Sequence, residues 1–154
     1  LSLLSNYVKK MFSKACEYSI RATVFITLQS MEDKRVNLKE ISKEIGSPEA
    51  FTAKLLQQLK KHKIVNSVQG TNGGFEIKKD QMKITKLGAI VAAIDGTSNF
   101  TLCLIGLNEC SEKKPCPIHH SFKKIRSDMN TMLENTSLWS MAMKMKEGKT
   151  YLKL

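Results

Sequence analysis

VNLKEISKEIGSPEAFTAKLLQQLKKHKIVNSVQGTNGGFEI, residues 36–77, contains two helical periods separated by a glycine and followed by a glycine-rich hairpin. Leu38, Ile41 and Ile45 recur at helical spacing and stop at Gly46, a residue that accepts the left-handed conformation ending a helix. Ser47 reads as a capping hydroxyl, with Pro48 in the first helical position. The next helix turns Phe51, Leu55, Leu56 and Leu59 inward and Thr52, Lys54, Gln57, Gln58, Lys60 and Lys61 outward. Two short helices joined by such a turn, the second polar and basic outside, make a helix-turn-helix. β-prone segments at 64–68 and 75–79 flank the glycine-rich turn at 70–74, which is a hairpin. Helix-turn-helix plus hairpin is a winged helix, with its second helix in a major groove and its hairpin over phosphates or a minor groove.

The surface chemistry agrees. The chain has 154 residues and a net charge of +11, which favours a polyanionic partner, here double-stranded DNA. Pro48, Glu49, Ala50 and Phe51 lead the recognition helix toward base edges, and Thr52, Lys54 and Gln58 reach further bases or backbone. Lys60 and Lys61 are placed for phosphates, as is His62. In the wing, Gln69, Thr71 and Asn72 occupy the turn, with Lys78 and Lys79 keeping the hairpin basic. Gln69 offers no charge to a narrow minor groove.

Upstream, residues 12–31 are apolar on more than one face, the mark of a buried helix. Downstream, ITKLGAIVAAIDG reads as another buried helix, capped by Thr85 and stopped at Gly96. Ile118, Phe122, Ile125, Met129 and Met132 then alternate spacings of four and three, a heptad seam in a long helix that suits a homodimer. Packing against the chain's own core is the other reading of that seam. The fold expected is mainly α with a small β-hairpin: a winged helix-turn-helix domain at 11–82, a sensor loop and dimerisation helices at 83–140, and a C-terminal tail at 141–154. Residues 1–10 read as an N-terminal extension without a function. The longest apolar run, LGAIVAAI at 87–94, is too short to span a bilayer and no signal peptide is visible, so a cytoplasmic protein with no membrane partner is expected. No nucleophile–base pairing or nucleotide-binding glycine motif speaks for an enzyme.

The stretch CLIGLNECSEKKPCPIHH, 103–120, concentrates three of the four cysteines and two of the three histidines. In a reducing compartment such a loop points to metal or redox chemistry. Soft thiolates suit an iron–sulfur cluster. Zinc on three cysteines and a histidine is a rival, although zinc sites favour closer pairs. A metal-free thiol switch that forms a disulfide on oxidation is a third reading. Cys16, alone on the first helix, reads as a small buried apolar residue. Glu17 has Arg21 four residues on, and a helical ion pair is one of two readings of it, the other being a ligand role.

The order KACEYSIRA, VNLKEISKEIGSPEAFTAKLLQQLKKHKIV, SVQGTNGGFEI, ITKLGAIVAAIDG and spaced cysteines resembles the bacterial winged-helix regulators typified by IscR and NsrR, over about residues 11–140. Its most specific piece is the wing from Gly70 through Phe75. The resemblance implies a homodimeric transcriptional regulator, a repressor, that binds a palindromic promoter and senses iron–sulfur status, nitric oxide or redox state. It also implies a cluster, 2Fe–2S in preference to 4Fe–4S, on the residues matching Cys103, Cys110 and Cys116. The fourth ligand would be His119, or alternatively Glu17 of the partner subunit.

Overall fold

A computed structural model describes residues 11–101 and 103–152; the extension expected at 1–10 lies outside them. The described elements are α1 (Lys14–Met31), α2 (Leu38–Ile45), α3 (Glu49–Lys61), β1 (Asn66–Val68), β2 (Gly74–Glu76), α4 (Lys79–Ile84), α5 (Leu87–Asp95), α6 (His119–Asn135) and α7 (Leu138–Lys146), with a short 3-10 turn at Ser98–Phe100. α1 is the central element and packs on α2, α3, α5 and α7. It buries Ser19, Thr23 and Thr27 beside Ala22, Val24 and Ile26. Those threonines are tolerated inside because the helix satisfies them: Thr23 donates to the Ser19 carbonyl at 3.0 Å and Thr27 to the Thr23 carbonyl at 2.7 Å. The start of α1 is fixed by Ser13, which accepts from the Cys16 backbone N–H and donates its own backbone N–H to Asp95 at the end of α5.

α2 begins in a reciprocal capping box, Asn37 with Glu40, and ends at Gly46 with φ 66° and ψ 41°. The α2–α3 turn differs from its expected form. Ser47 does not cap α3; its backbone N–H closes the end of α2 on the Ser42 carbonyl, and Pro48 occupies the cap position with no side-chain hydrogen bond. One helix end therefore runs directly into the next start. α3 buries Leu55, Leu56 and Leu59 as expected, and only its first turn differs. Thr52, expected outside, is fully buried and donates to the Pro48 carbonyl at 3.0 Å. Phe51, expected inside, is only half-buried and packs edge-on against Tyr18, with centroids 6.0 Å apart.

β1 and β2 pair antiparallel through Asn66↔Glu76, Ser67↔Phe75 and Val68↔Gly74, so the wing is shorter than the strands expected at 64–68 and 75–79. Ile64, Val65 and Ile77 leave the ladder to enter the core. Val36 adds a bridge to Phe75, with hydrogen bonds in both directions. The glycines are sterically required. A Cβ on Gly73 would lie 2.3 Å from the Val68 carbonyl oxygen, and Gly74, at φ +135°, has the Val36 carbonyl oxygen 2.8 Å from where its Cβ would be.

α4 was not expected, and residue 79, assigned to a strand, begins it. Six residues are too few to be helical alone, and Met82, fully buried, anchors them to the core. The expected boundary at 82/83 therefore falls inside a helix. Thr85 ends α4 instead of capping α5, whose cap position is Lys86. The Thr85–Leu87 linker pairs with the start of α7: Leu87 donates to Thr136 at 2.8 Å, Leu138 donates to Thr85 at 3.0 Å, and Lys86 bridges Ser137. α7 also crosses the boundary expected at 140/141. It buries Leu138 and Ala142, and packs on α1 and α4. Trp139 is half-buried there, with Lys83 Nζ 5.2 Å from its ring centroid.

α6, 17 residues long, packs on α5 and buries Leu133. Its heptad face straddles two environments. Met129 packs with the small cluster of Cys16, Val91 and Leu133, whereas Ile125 and Met132 are 59% and 49% exposed. Ile118 and Phe122 are half-buried.

Candidate functional site

Two surfaces matter. On α3, Pro48, Glu49, Ala50, Lys54, Gln57, Gln58, Lys60 and Lys61 face solvent, with His62 exposed at the helix end. Thr52 cannot reach a base from its buried position. The Tyr18 ring that supports Phe51 also carries two cations, Arg21 Cζ at 4.6 Å and Lys14 Nζ at 5.1 Å. In the wing, Gln69, Thr71 and Asn72 are exposed, and the turn closes through the Gly73 N–H on the Gly70 carbonyl. Lys78 and Lys79 belong to the start of α4, where Lys79 pairs with Asp33 at 2.9 Å. Sequence reasoning missed Arg35. Its guanidinium donates to the Asn72 carbonyl at 3.0 Å and to the Glu76 carboxylate, bracing the wing from the α1–α2 loop. No spacing rule links residues so far apart in the chain.

The second surface is the cysteine loop at the start of α6. It gathers donors in two pairs. Cys110 Sγ lies 3.3 Å from His119 Nδ1. Cys103 has the Cys116 side chain as a hydrogen-bond partner, and it is held below the usual thiol range chiefly by the Leu107 backbone N–H, then by those of Ile105 and Gly106 together with Cys116, against desolvation. A ring of amides around sulfur stabilises thiolate as it would any anion. Cys116 is adjoined to the other pair through its carbonyl, which accepts the His119 backbone N–H at 3.0 Å. The three sulfurs do not converge on one point: among the described residues the donor set that does, within 4.8 Å, is Glu112, His119 and His120. Glu17 is not in that set, and its carboxylate meets Lys14 at 3.1 Å.

His119 was expected as a ligand, and its side chain is 2% exposed. Its Nε2 is 3.4 Å from Glu112 Oε2 but meets no hydrogen-bond geometry, leaving a buried ring nitrogen unsatisfied. Glu112, which the sequence reading passed over, also pairs with Lys123, and that lysine first and His119 second hold its carboxyl below the ordinary range. His120 is exposed, edge-on to His119. Cys16 is confirmed as core. Burial, then Asp95, pushes its thiol up to about 12, so it is no thiolate donor.

A recognition helix, a braced wing and a basic chain define a winged-helix DNA-binding transcriptional regulator rather than an enzyme. Residues 12–144 match the Rrf2 family, described as an iron-dependent transcriptional regulator, and the chain belongs to that family. It is 30% identical over 129 residues to an HTH-type transcriptional regulator of Aquifex aeolicus, covering 82% of this chain and 88% of that one. It is 29% identical over 121 residues to the HTH-type transcriptional regulator IscR of Yersinia pseudotuberculosis, covering 79% and 72%. Its fold matches CymR, the global cysteine regulator of B. subtilis, with a TM-score of 0.69 at 19% identity over 86% of this chain and 95% of that one. It matches T. potens IscR with the same score and identity over 97% and 96%. No helix among the described residues is long and apolar enough to cross a membrane.

Proposed function

We propose that this regulator binds a palindromic promoter as a homodimer, acts as a repressor, and has its operator affinity set by an iron–sulfur cluster on Cys103, Cys110, Cys116 and His119. The observation that supports the cluster is the placing of Cys110 Sγ 3.3 Å from the buried His119 ring, in the same loop as Cys103 and Cys116. The donor chemistry fits: soft thiolates with one imidazole suit iron and sulfide, and a 2Fe–2S cluster in preference to 4Fe–4S. When bound, the cluster would supply a redox- and nitric-oxide-sensitive group. The chain's own residues do the rest. The amides at 105–107 stabilise the Cys103 thiolate, and Cys110 orients the His119 ring. Glu17 of the partner subunit is the alternative fourth ligand.

Ile125 and Met132, bare on α6, support the dimer seam with Ile118, Phe122 and Met129 beside them. DNA would be met by Pro48, Glu49, Ala50, Phe51, Lys54 and Gln58 on α3, with Lys60 and Lys61 on phosphates and Gln69, Thr71 and Asn72 from the wing. The test of the cluster is anaerobic purification with iron, sulfide and zinc analysis and a visible spectrum. Zinc without iron or sulfide would overturn it.

One observation favours a second reading. The Cys103 thiol, held below its usual range chiefly by backbone amides with Cys116 as a further cause, is suited to a metal-free thiol switch. In that case the anaerobic protein contains no metal, and oxidation links those two cysteines.

A further inference from the structure

We propose that Glu112, His119 and His120 form a nitrogen–oxygen site for a divalent transition-metal ion of the zinc class, which the chain can hold when the thiols carry no cluster. One ligand atom from each lies within 4.8 Å of the others. The independent observation is His119. Its ring is buried, and its Nε2 faces the Glu112 carboxylate at 3.4 Å outside hydrogen-bond geometry. A buried polar atom without a good partner is destabilising, and an ion at Nε2 removes that penalty.

The other ring nitrogen is prepared for the same role. Cys110 Sγ, 3.3 Å from Nδ1, can accept a hydrogen bond from Nδ1–H and so leave the lone pair on Nε2. A metal-bound imidazole is ordinarily fixed in this way, by an acceptor on its far nitrogen. Metal–ligand bonds of about 2.0–2.1 Å at tetrahedral angles place neighbouring ligand atoms about 3.3 Å apart. The 3.4 Å between His119 Nε2 and Glu112 Oε2 already meets that spacing, and exposed His120 has room to close on it. The fourth position is left to water.

The class of ion follows from the charges. Lys123 occupies the other oxygen of Glu112, and Lys113 and Lys114 are neighbours in the chain. Calcium and magnesium depend on carboxylate charge and oxygen number, which are too low here. Two neutral imidazoles favour zinc and its neighbours. Because His119 serves both, cluster and ion exclude one another.

The test uses the full chain carrying Cys103→Ser, Cys110→Ser and Cys116→Ser, titrated with Co2+ and competed with Zn2+. The expected result is one equivalent of Co2+ with weak d–d bands and no sulfur-to-cobalt charge transfer. Glu112→Gln and His120→Ala should each weaken binding at least about tenfold, and Lys123→Met should tighten it. A second measurement avoids the serine variants altogether. In the cluster-free wild-type chain, Zn2+ should move the imidazole resonances of His119 and His120 and leave those of His62 in place. No stoichiometric Co2+ in a folded triple variant, affinity unchanged by Glu112→Gln and His120→Ala, or unmoved histidine resonances would each overturn the site. None of these results bears on the iron and sulfide content by which the cluster is judged.

Discussion

Cys110 Sγ and His119 Nδ1 lie 3.3 Å apart, joining the middle of the cysteine loop to the first residue of α6. The thiol and the imidazole are thus presented together. Cys103→Ala, Cys110→Ala and Cys116→Ala should each abolish or strongly reduce the visible chromophore of the anaerobic protein. Cys16→Ala should retain it, since that thiol is packed against Val91 and Leu133. His119→Ala should shift the spectrum and Glu17→Ala should not; the reverse would assign the fourth ligand to the partner subunit.

Lys60 and Lys61 stand exposed at the end of α3. Replacing both with alanine should weaken binding about equally on all sequences and reduce the salt slope by up to about 1.8, at about 0.9 per phosphate contact. Affinity measured at several salt concentrations decides this, and an unchanged slope takes both lysines off the interface.

Gly73 has no room for a methyl group because the Val68 carbonyl closes over it. Gly73→Ala should force the wing turn apart and weaken DNA binding while thermal unfolding changes little, because the hairpin tip is outside the core. Undiminished operator affinity would show that the wing makes no useful contact.

Ile125 and Met132 are exposed, so Ile125→Glu with Met132→Glu removes no core packing. The double variant should sediment as a folded monomer and the wild type as a dimer. A dimer that survives both glutamates must be joined elsewhere.

The Cys16 thiol is raised from 9.0 to about 12 by burial and by Asp95. A raised acid favours folding fully below its unfolded value, and this contribution is lost as pH climbs from 9.0 toward about 12. Wild-type stability should therefore fall more steeply across that window than that of Cys16→Ala. Parallel curves from denaturant titrations would show that the thiol is not linked to folding.

The winged helix was readable because its signals are local. Gly46 and the Gly70–Phe75 run each dictate backbone geometry within a few residues. The facing of Thr52 was misread because a buried hydroxyl bonded to its own helix looks polar in sequence. α4 was missed because six residues with one buried methionine show no period. α7 was cut short for a related reason: LWSMAMKMK owes its burial to α1 and α4, not to a pattern of its own. At the cysteine loop the residue types were legible and the pairing was not. Which thiol meets which partner is set by the path of an irregular chain, and Glu112 gave no signal until His119 was placed beside it.

The two hydrogen bonds at Thr136 and Leu138 anchor only the C-terminal end of α6, whereas the cysteines lie at its opposite tip. Its 17 residues make a rod of about 25 Å at about 1.5 Å per residue, so a tilt of about 5° at the anchor carries the tip through about 2 Å. The helix is a lever with its fulcrum on α5 and the Thr85–Leu87 linker. A small displacement where the thiols gather reaches the fulcrum as rotation rather than as translation. Were two copies joined along that rod as proposed, such a rotation would change the angle between two recognition helices, to which an operator with fixed half-site spacing is sensitive.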